Sequence, residues 1–110
     1  MDKNKIEKEL IKMGAKPSML GFRYLAESLI LLDDEKLSQN ADIKIMYIYA
    51  SIAKKFGVSM TSVQTALIRF FTNFRKNLDV VKVIGSNKAS KESMFILYYE
   101  MKERVKNEIS

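Results

Sequence analysis

The segment Ile52-Ala53-Lys54-Lys55-Phe56-Gly57-Val58-Ser59-Met60-Thr61-Ser62-Val63-Gln64-Thr65-Ala66-Leu67 decides the fold. Apolar residues recur at helical spacing on both sides of one glycine, so two amphipathic helices are expected to meet at a tight corner. Gly57 allows the positive φ that such a corner needs. Ser59 or Thr61 has the side-chain oxygen of an N-cap, and Ala53 is small where the two helices cross closely. Val63 is expected to pack back beneath the first helix, with Ile52, Phe56, Val58 and Ala66 completing the shared core. This is the spacing of a helix-turn-helix, placed between about Ile43 and Asn77.

Upstream of the corner, Ile43, Tyr47, Ile48, Ile52 and Phe56 carry the apolar period, as one helix or as two short ones joined near Ala50. Downstream, Val63, Ala66, Leu67, Phe70 and Phe74 form the inward stripe, leaving Ser62, Thr65, Arg69, Thr72, Asn73 and Lys76 on the outer face. Residues 2 to 13 form a first helix closed by Gly14. A second, capped by Ser18 behind Pro17, runs from Leu20 to about Leu32. The cluster Asp33-Asp34-Glu35 lacks the ligand spacing of a calcium loop and is assigned to a solvated helix end. A short apolar element spans Leu78 to Ile84. After a loop from Gly85, a last amphipathic helix runs from about Lys91 to Asn107, with Phe95, Tyr98, Tyr99, Met101 and Val105 as core or interface candidates. With 110 residues, one Pro and four Gly, the chain is expected to be one all-α domain, residues 1–110.

Composition narrows the function. There is no His and no Cys, which removes the usual general base, the thiol nucleophile, disulfides and the commonest metal ligands. No catalysis, cofactor or metal site is therefore expected. The start Met1-Asp2-Lys3-Asn4-Lys5 is not a signal peptide. No segment approaches the roughly 20 apolar residues that cross a bilayer, so a soluble cytoplasmic chain with no membrane partner is expected.

The net charge of +6 is unevenly spread. From Ile43 through Leu78 there is no acidic residue, although Lys44, Lys54, Lys55, Arg69, Arg75 and Lys76 all fall there. A polyanion meets least repulsion at that segment, which points to double-stranded DNA as the partner. The helix after Gly57 then acts as the recognition helix, and Thr61, Ser62, Gln64, Thr65 and Ile68 become the candidate base contacts. The Gln64 amide matches adenine N7 and N6, and Thr65 and Ile68 match a thymine methyl. Lys54, Lys55, Arg69, Arg75, Lys76 and Lys88 are the candidate phosphate contacts, where charge matters more than geometry.

From Ile6 to about Met101 the chain resembles the C-terminal effector domain of the sporulation-initiation response regulator of endospore-forming bacteria, the stage zero sporulation protein A family. The resemblance rests on Gly14, Pro17, Gly21-Phe22, Tyr24-Leu25, Glu27, Tyr49, Ile52-Ala53-Lys54-Lys55-Phe56, Val63 and Ala66-Leu67. It implies a compact bundle of about six helices that binds promoter DNA and influences transcription. The family typically has Arg-Val-Glu-Arg-Ala-Ile-Arg on its recognition helix, where this chain has Ser62-Val63-Gln64-Thr65-Ala66-Leu67-Ile68. The buried positions are kept and the charged reading positions replaced, so a different operator is expected. The receiver domain that normally precedes this effector is not in the chain, which makes it an excised piece or a stand-alone relative. The start at Met1 favours the second. Self-association on two half-sites is expected. The competing expectation is an interaction module that pairs with a full-length regulator or with RNA polymerase and does not read DNA sequence.

Overall fold

A computed structural model describes residues 2–34, 40–86 and 88–109. Among them are six helices and no strand: α1 (Lys3–Lys12), α2 (Leu20–Leu32), α3 (Ala41–Phe56), α4 (Met60–Phe74), α5 (Leu78–Ile84) and α6 (Ser90–Ile109). The all-α class and the six-helix bundle expected from the sequence are present. No helix among the described residues is long and apolar enough to cross a membrane.

Local chemistry sets the boundaries. Asp2 opens α1 by accepting the N–H of Asn4 and Lys5. Gly14, at φ 99°, closes it, with the Gly14 N–H on the Ile11 carbonyl and the Ala15 N–H on that of Leu10. That paired arrangement satisfies carbonyls the helix end would otherwise orphan. The second cap differs from expectation. Lys16 to Met19 form a turn, closed by the Met19 N–H on the Lys16 carbonyl at 3.1 Å. The extended cap position therefore falls on Met19 and not on Ser18, and no side chain caps α2.

Eight residues of α2 are buried, from Gly21 to Leu32, because this helix packs against α1, α3, α4 and α6. A helix surrounded on most sides must be apolar on most sides. The buried Ser28 hydroxyl donates to the Tyr24 carbonyl at 2.7 Å.

Around α2 the core is closed by Ile48 and Ile52 of α3, by Val63, Leu67, Phe70, Phe71 and Phe74 of α4, and by Met94, Leu97 and Met101 of α6. The α2–α4 crossing is close: a β-carbon at Gly21 would stand 2.5 Å from the Ala66 carbonyl oxygen. Ala66 itself is half-buried there.

Helix α3 is one continuous element, begun by Asn40, whose side chain accepts the N–H of Asp42 and Ile43. Its register corrects the sequence expectation. Ile45, Ile48, Tyr49, Ile52 and Ala53 are buried, whereas Ile43, Met46 and Tyr47 are exposed. The helix has apolar residues on two faces, and the one that meets α2 and α4 wins. Val58, expected in the shared core, is 37 % exposed; its N–H closes α3 on the Ala53 carbonyl at 3.0 Å, which leaves its side chain at the rim. On α6, Tyr98 is buried and donates to Asp33 Oδ1 at 2.6 Å, while neighbouring Tyr99 is 64 % exposed and Phe95 half-buried. Asp33 ends α2, so the acidic cluster begins as a helix cap bound to α6. Its Glu35 lies outside the described residues.

Candidate nucleic-acid interface

Three residues, Gly57, Val58 and Ser59, join α3 to α4. Gly57 adopts φ 67°, and nothing within 4 Å would meet a β-carbon there, so the glycine is required by the backbone conformation alone. Ser59 fixes where α4 starts: its side-chain oxygen accepts the Ser62 N–H at 3.1 Å and lies 2.9 Å from the Ser62 hydroxyl. The first turn of α4 has no acidic residue, so the positive end of the helix dipole is left uncancelled.

Thr61, Ser62, Gln64, Thr65 and Ile68 are all exposed. They divide between two sides of α4. Thr61, Ser62 and Thr65 line a shallow groove of about 280 Å³ with Leu20 and Arg69. Gln64 and Ile68 line a cleft of about 360 Å³ with Tyr49, Thr72, Arg75 and Lys88. Among the described residues no carboxylate lines either depression. The centre of the exposed face is therefore built of hydroxyls, one amide and one aliphatic side chain, with cations at its edges.

The six candidate phosphate contacts do not share one environment. Lys54, Arg69, Lys76 and Lys88 are exposed, and among the described residues their charged groups pair with no carboxylate. Lys55 is different. Its ammonium lies 2.8 Å from Glu27 Oε1, which also holds Lys3 at 2.7 Å. Burial pushes the Glu27 carboxyl up, but the two ammonium groups outweigh it and hold it below its ordinary value.

Arg75 departs furthest from the expectation of a phosphate contact. Its Nε donates to the Gly85 carbonyl at 3.1 Å and its Nη2 to the Lys88 carbonyl at 2.8 Å and to the Ser93 hydroxyl. The guanidinium also lies 5.4 Å from the centre of the Phe71 ring. Burial lowers its pKa from the ordinary value, and a guanidinium keeps its charge nonetheless. Arg75 is thus a clasp that holds the 85–90 loop against the end of α4.

Tyr49 and Ser90 are site residues that sequence reasoning did not nominate. Tyr49 has the spacing of a core residue and is one, at 7 % exposure, with burial raising its pKa. Only the fold shows that it also lines the cleft beside Gln64. Compared with protein-family models, with curated proteins and with solved structures, the chain finds no match.

Proposed function

We propose that the chain is a sequence-specific DNA-binding regulator of transcription that lays α4 in the major groove, as its resemblance to sporulation-regulator effector domains implies. The proposal includes a cytoplasmic location, where such a chain would meet DNA. One observation carries it: the exposed, acid-free face of α4, with hydrogen-bonding side chains at its centre and unpaired cations at its rim. Thr61, Ser62, Gln64, Thr65 and Ile68 face base edges in this reading, and Lys54, Arg69, Lys76 and Lys88 face phosphates. Lys55 and Arg75 leave the contact set, since their charged groups are held by Glu27 and by the 85–90 loop.

Anisotropy titration of a random-sequence duplex at several salt concentrations tests the charge. Four phosphate contacts per protomer predict a slope of log K on log salt of about −3.6. Selection from a random DNA pool tests the reading, and Gln64→Ala should relax preference at one base pair by about 1–3 kcal/mol while nonspecific affinity holds. No binding at low salt, or a flat salt response, would reject the proposal.

A second reading draws on the exposed strip Ile43, Met46 and Tyr47 of α3. Apolar residues grouped on one solvent face suit protein contact, either with a second copy on a two-half-site operator or with RNA polymerase or a full-length regulator. A chain that binds no duplex yet loses its protein contact on Tyr47→Lys would favour this reading over the first.

A further inference from the structure

The cleft between α3, α4 and the start of α6 offers more hydrogen-bond donors than the protein uses. Tyr49 is 7 % exposed and lines the cleft, yet its hydroxyl has no hydrogen-bond partner. That oxygen is not sealed off, because no fully buried side-chain oxygen or nitrogen among the described residues lacks a partner. Buried tyrosine hydroxyls are ordinarily paired. The Tyr49 hydroxyl, open to solvent and unpaired within the protein, is a donor available to an incoming acceptor.

The other donors converge on the same place. Ala89 and Ser90 line the cleft, and α6, 20 residues long, begins at Ser90. The methyl of Ala89 cannot cap it. Among the described residues the N–H groups of Ser90, Lys91 and Glu92 have no acceptor, so these amides remain free to donate, although Glu92 in the first turn offsets part of the helix dipole. Arg75 uses Nε and Nη2 for the loop and leaves Nη1 without a protein acceptor. The Lys88 ammonium is exposed and unpaired. Glu92 is exposed and does not line the cleft.

We propose that this cleft binds a phosphate group, held by the Tyr49 hydroxyl, the Lys88 ammonium and the first amides of α6. Charge, donor count and the lack of any lining carboxylate all select an anion with several acceptor oxygens. Its volume of about 360 Å³ lies within the range of about 300–1,000 Å³ typical of small-ligand sites. That leaves room beside Ile68 for the organic part of a phosphomonoester. The phosphate comes either from a DNA backbone lying along α4 or from a free phosphomonoester. In the second case the ligand covers Gln64 and Ile68 and competes with base reading. The site itself does not depend on the DNA-binding proposal.

The test titrates inorganic phosphate into the full-length ¹⁵N-labelled chain at constant ionic strength, with chloride as the reference anion. Saturable shifts are expected at the amides of Ser90, Lys91 and Glu92. Binding should weaken at least fivefold in Tyr49→Phe, which removes one oxygen and keeps the buried ring, and likewise in Lys88→Ala. Absence of saturable shifts, or equal affinity in both variants and the wild type, overturns the inference. A random-sequence duplex then separates the sources. Parallel loss of duplex affinity in Tyr49→Phe assigns the site to the DNA backbone, and unchanged duplex affinity assigns it to a free phosphomonoester. Phosphate binding without any duplex binding keeps this inference and rejects the DNA-binding proposal; duplex binding without phosphate shifts does the reverse.

Discussion

Replacing Gly21 by Ala tests the packing on which the exposed face of α4 depends. The new β-carbon would stand 2.5 Å from the Ala66 carbonyl oxygen, 2.5 Å from Phe70 Cβ and 3.2 Å from the Ala66 carbonyl carbon. Non-bonded carbons rest about 3.5–4.0 Å apart, so α2 and α4 must separate by roughly 1 Å. Neither obstacle can swing aside, since one is helix backbone and the other the first carbon of a buried Phe. Overpacking of this kind costs about 1–3 kcal/mol, and rigid obstacles place it in the upper half of that range. The better helix propensity of Ala returns up to about 1 kcal/mol. The net loss is about 1–2 kcal/mol, which in a domain of this size lowers the melting temperature by roughly 5–15 °C. Thermal unfolding followed by circular dichroism, with urea unfolding as a second measure, reads it directly. A Gly21→Ala protein as stable as the wild type would refute the close crossing of α2 and α4, and with it the placement of Leu20 beside Thr61 and Thr65.

Other outcomes follow from the same geometry. Lys54→Ala should make the salt slope of duplex binding shallower by about 0.9, whereas Lys55→Ala should leave the slope nearly unchanged and lower stability, because Lys55 is bonded to Glu27; equal slopes in the two variants would contradict this division. The pH dependence of folding has a definite sign. Glu27 is held below its ordinary value of 4.5 by Lys3 and Lys55 against the effect of burial. The unfolded chain therefore takes up the proton at higher pH than the folded one, and the stabilisation is complete above about 4.5 and lost as pH falls through the folded value. Melting temperatures measured between pH 3 and 6 should fall less steeply with acid in Glu27→Gln than in the wild type, and an identical slope would remove Glu27 as the cause.

What the sequence disclosed followed a physical division between local and distant determinants. Gly57, Ser59 and the stripe Val63, Leu67, Phe70 and Phe74 act within a turn or two of chain, and their roles were legible from spacing. Gly14 belongs with them, since the carbonyls it satisfies lie within the preceding turn. Arg75 was not legible, because the groups that hold it, Gly85, Lys88 and Ser93, lie 10 to 18 residues further along the chain. Nor was Lys55, whose carboxylate partner comes from α2. Helix α3 defeated the periodicity for another reason. Ile43, Ile45, Met46, Tyr47, Ile48 and Tyr49 supply two apolar faces, and only the position of α2 and α4 selects between them. Thr61, Ser62, Gln64, Thr65 and Ile68, nominated together from the sequence, are all exposed on α4. Their division between two depressions depends on where Leu20, Tyr49 and Lys88 sit, which a helical wheel does not contain.

Under the proposed DNA-binding function, the lack of an arginine at the centre of the exposed α4 face has a consequence for affinity. Gln64 is the one side chain on it able to make a bidentate base contact, worth about 1–3 kcal/mol of discrimination. Hydroxyls such as those of Thr61 and Thr65 accept either base pattern and discriminate less. A single copy would therefore prefer its site by roughly 10- to 100-fold, whereas specific regulators exceed their own nonspecific binding by about 10³–10⁷. Rim cations cannot close that gap, because phosphate contacts strengthen every sequence alike. Two half-sites can: the free energies add, so a ratio near 100 becomes one near 10⁴. In that proposal the pairing surface is the strip Ile43, Met46 and Tyr47 that α3 exposes on one face. If α4 reads DNA in the proposed manner, specificity in this protein resides in the pair of copies more than in the helix.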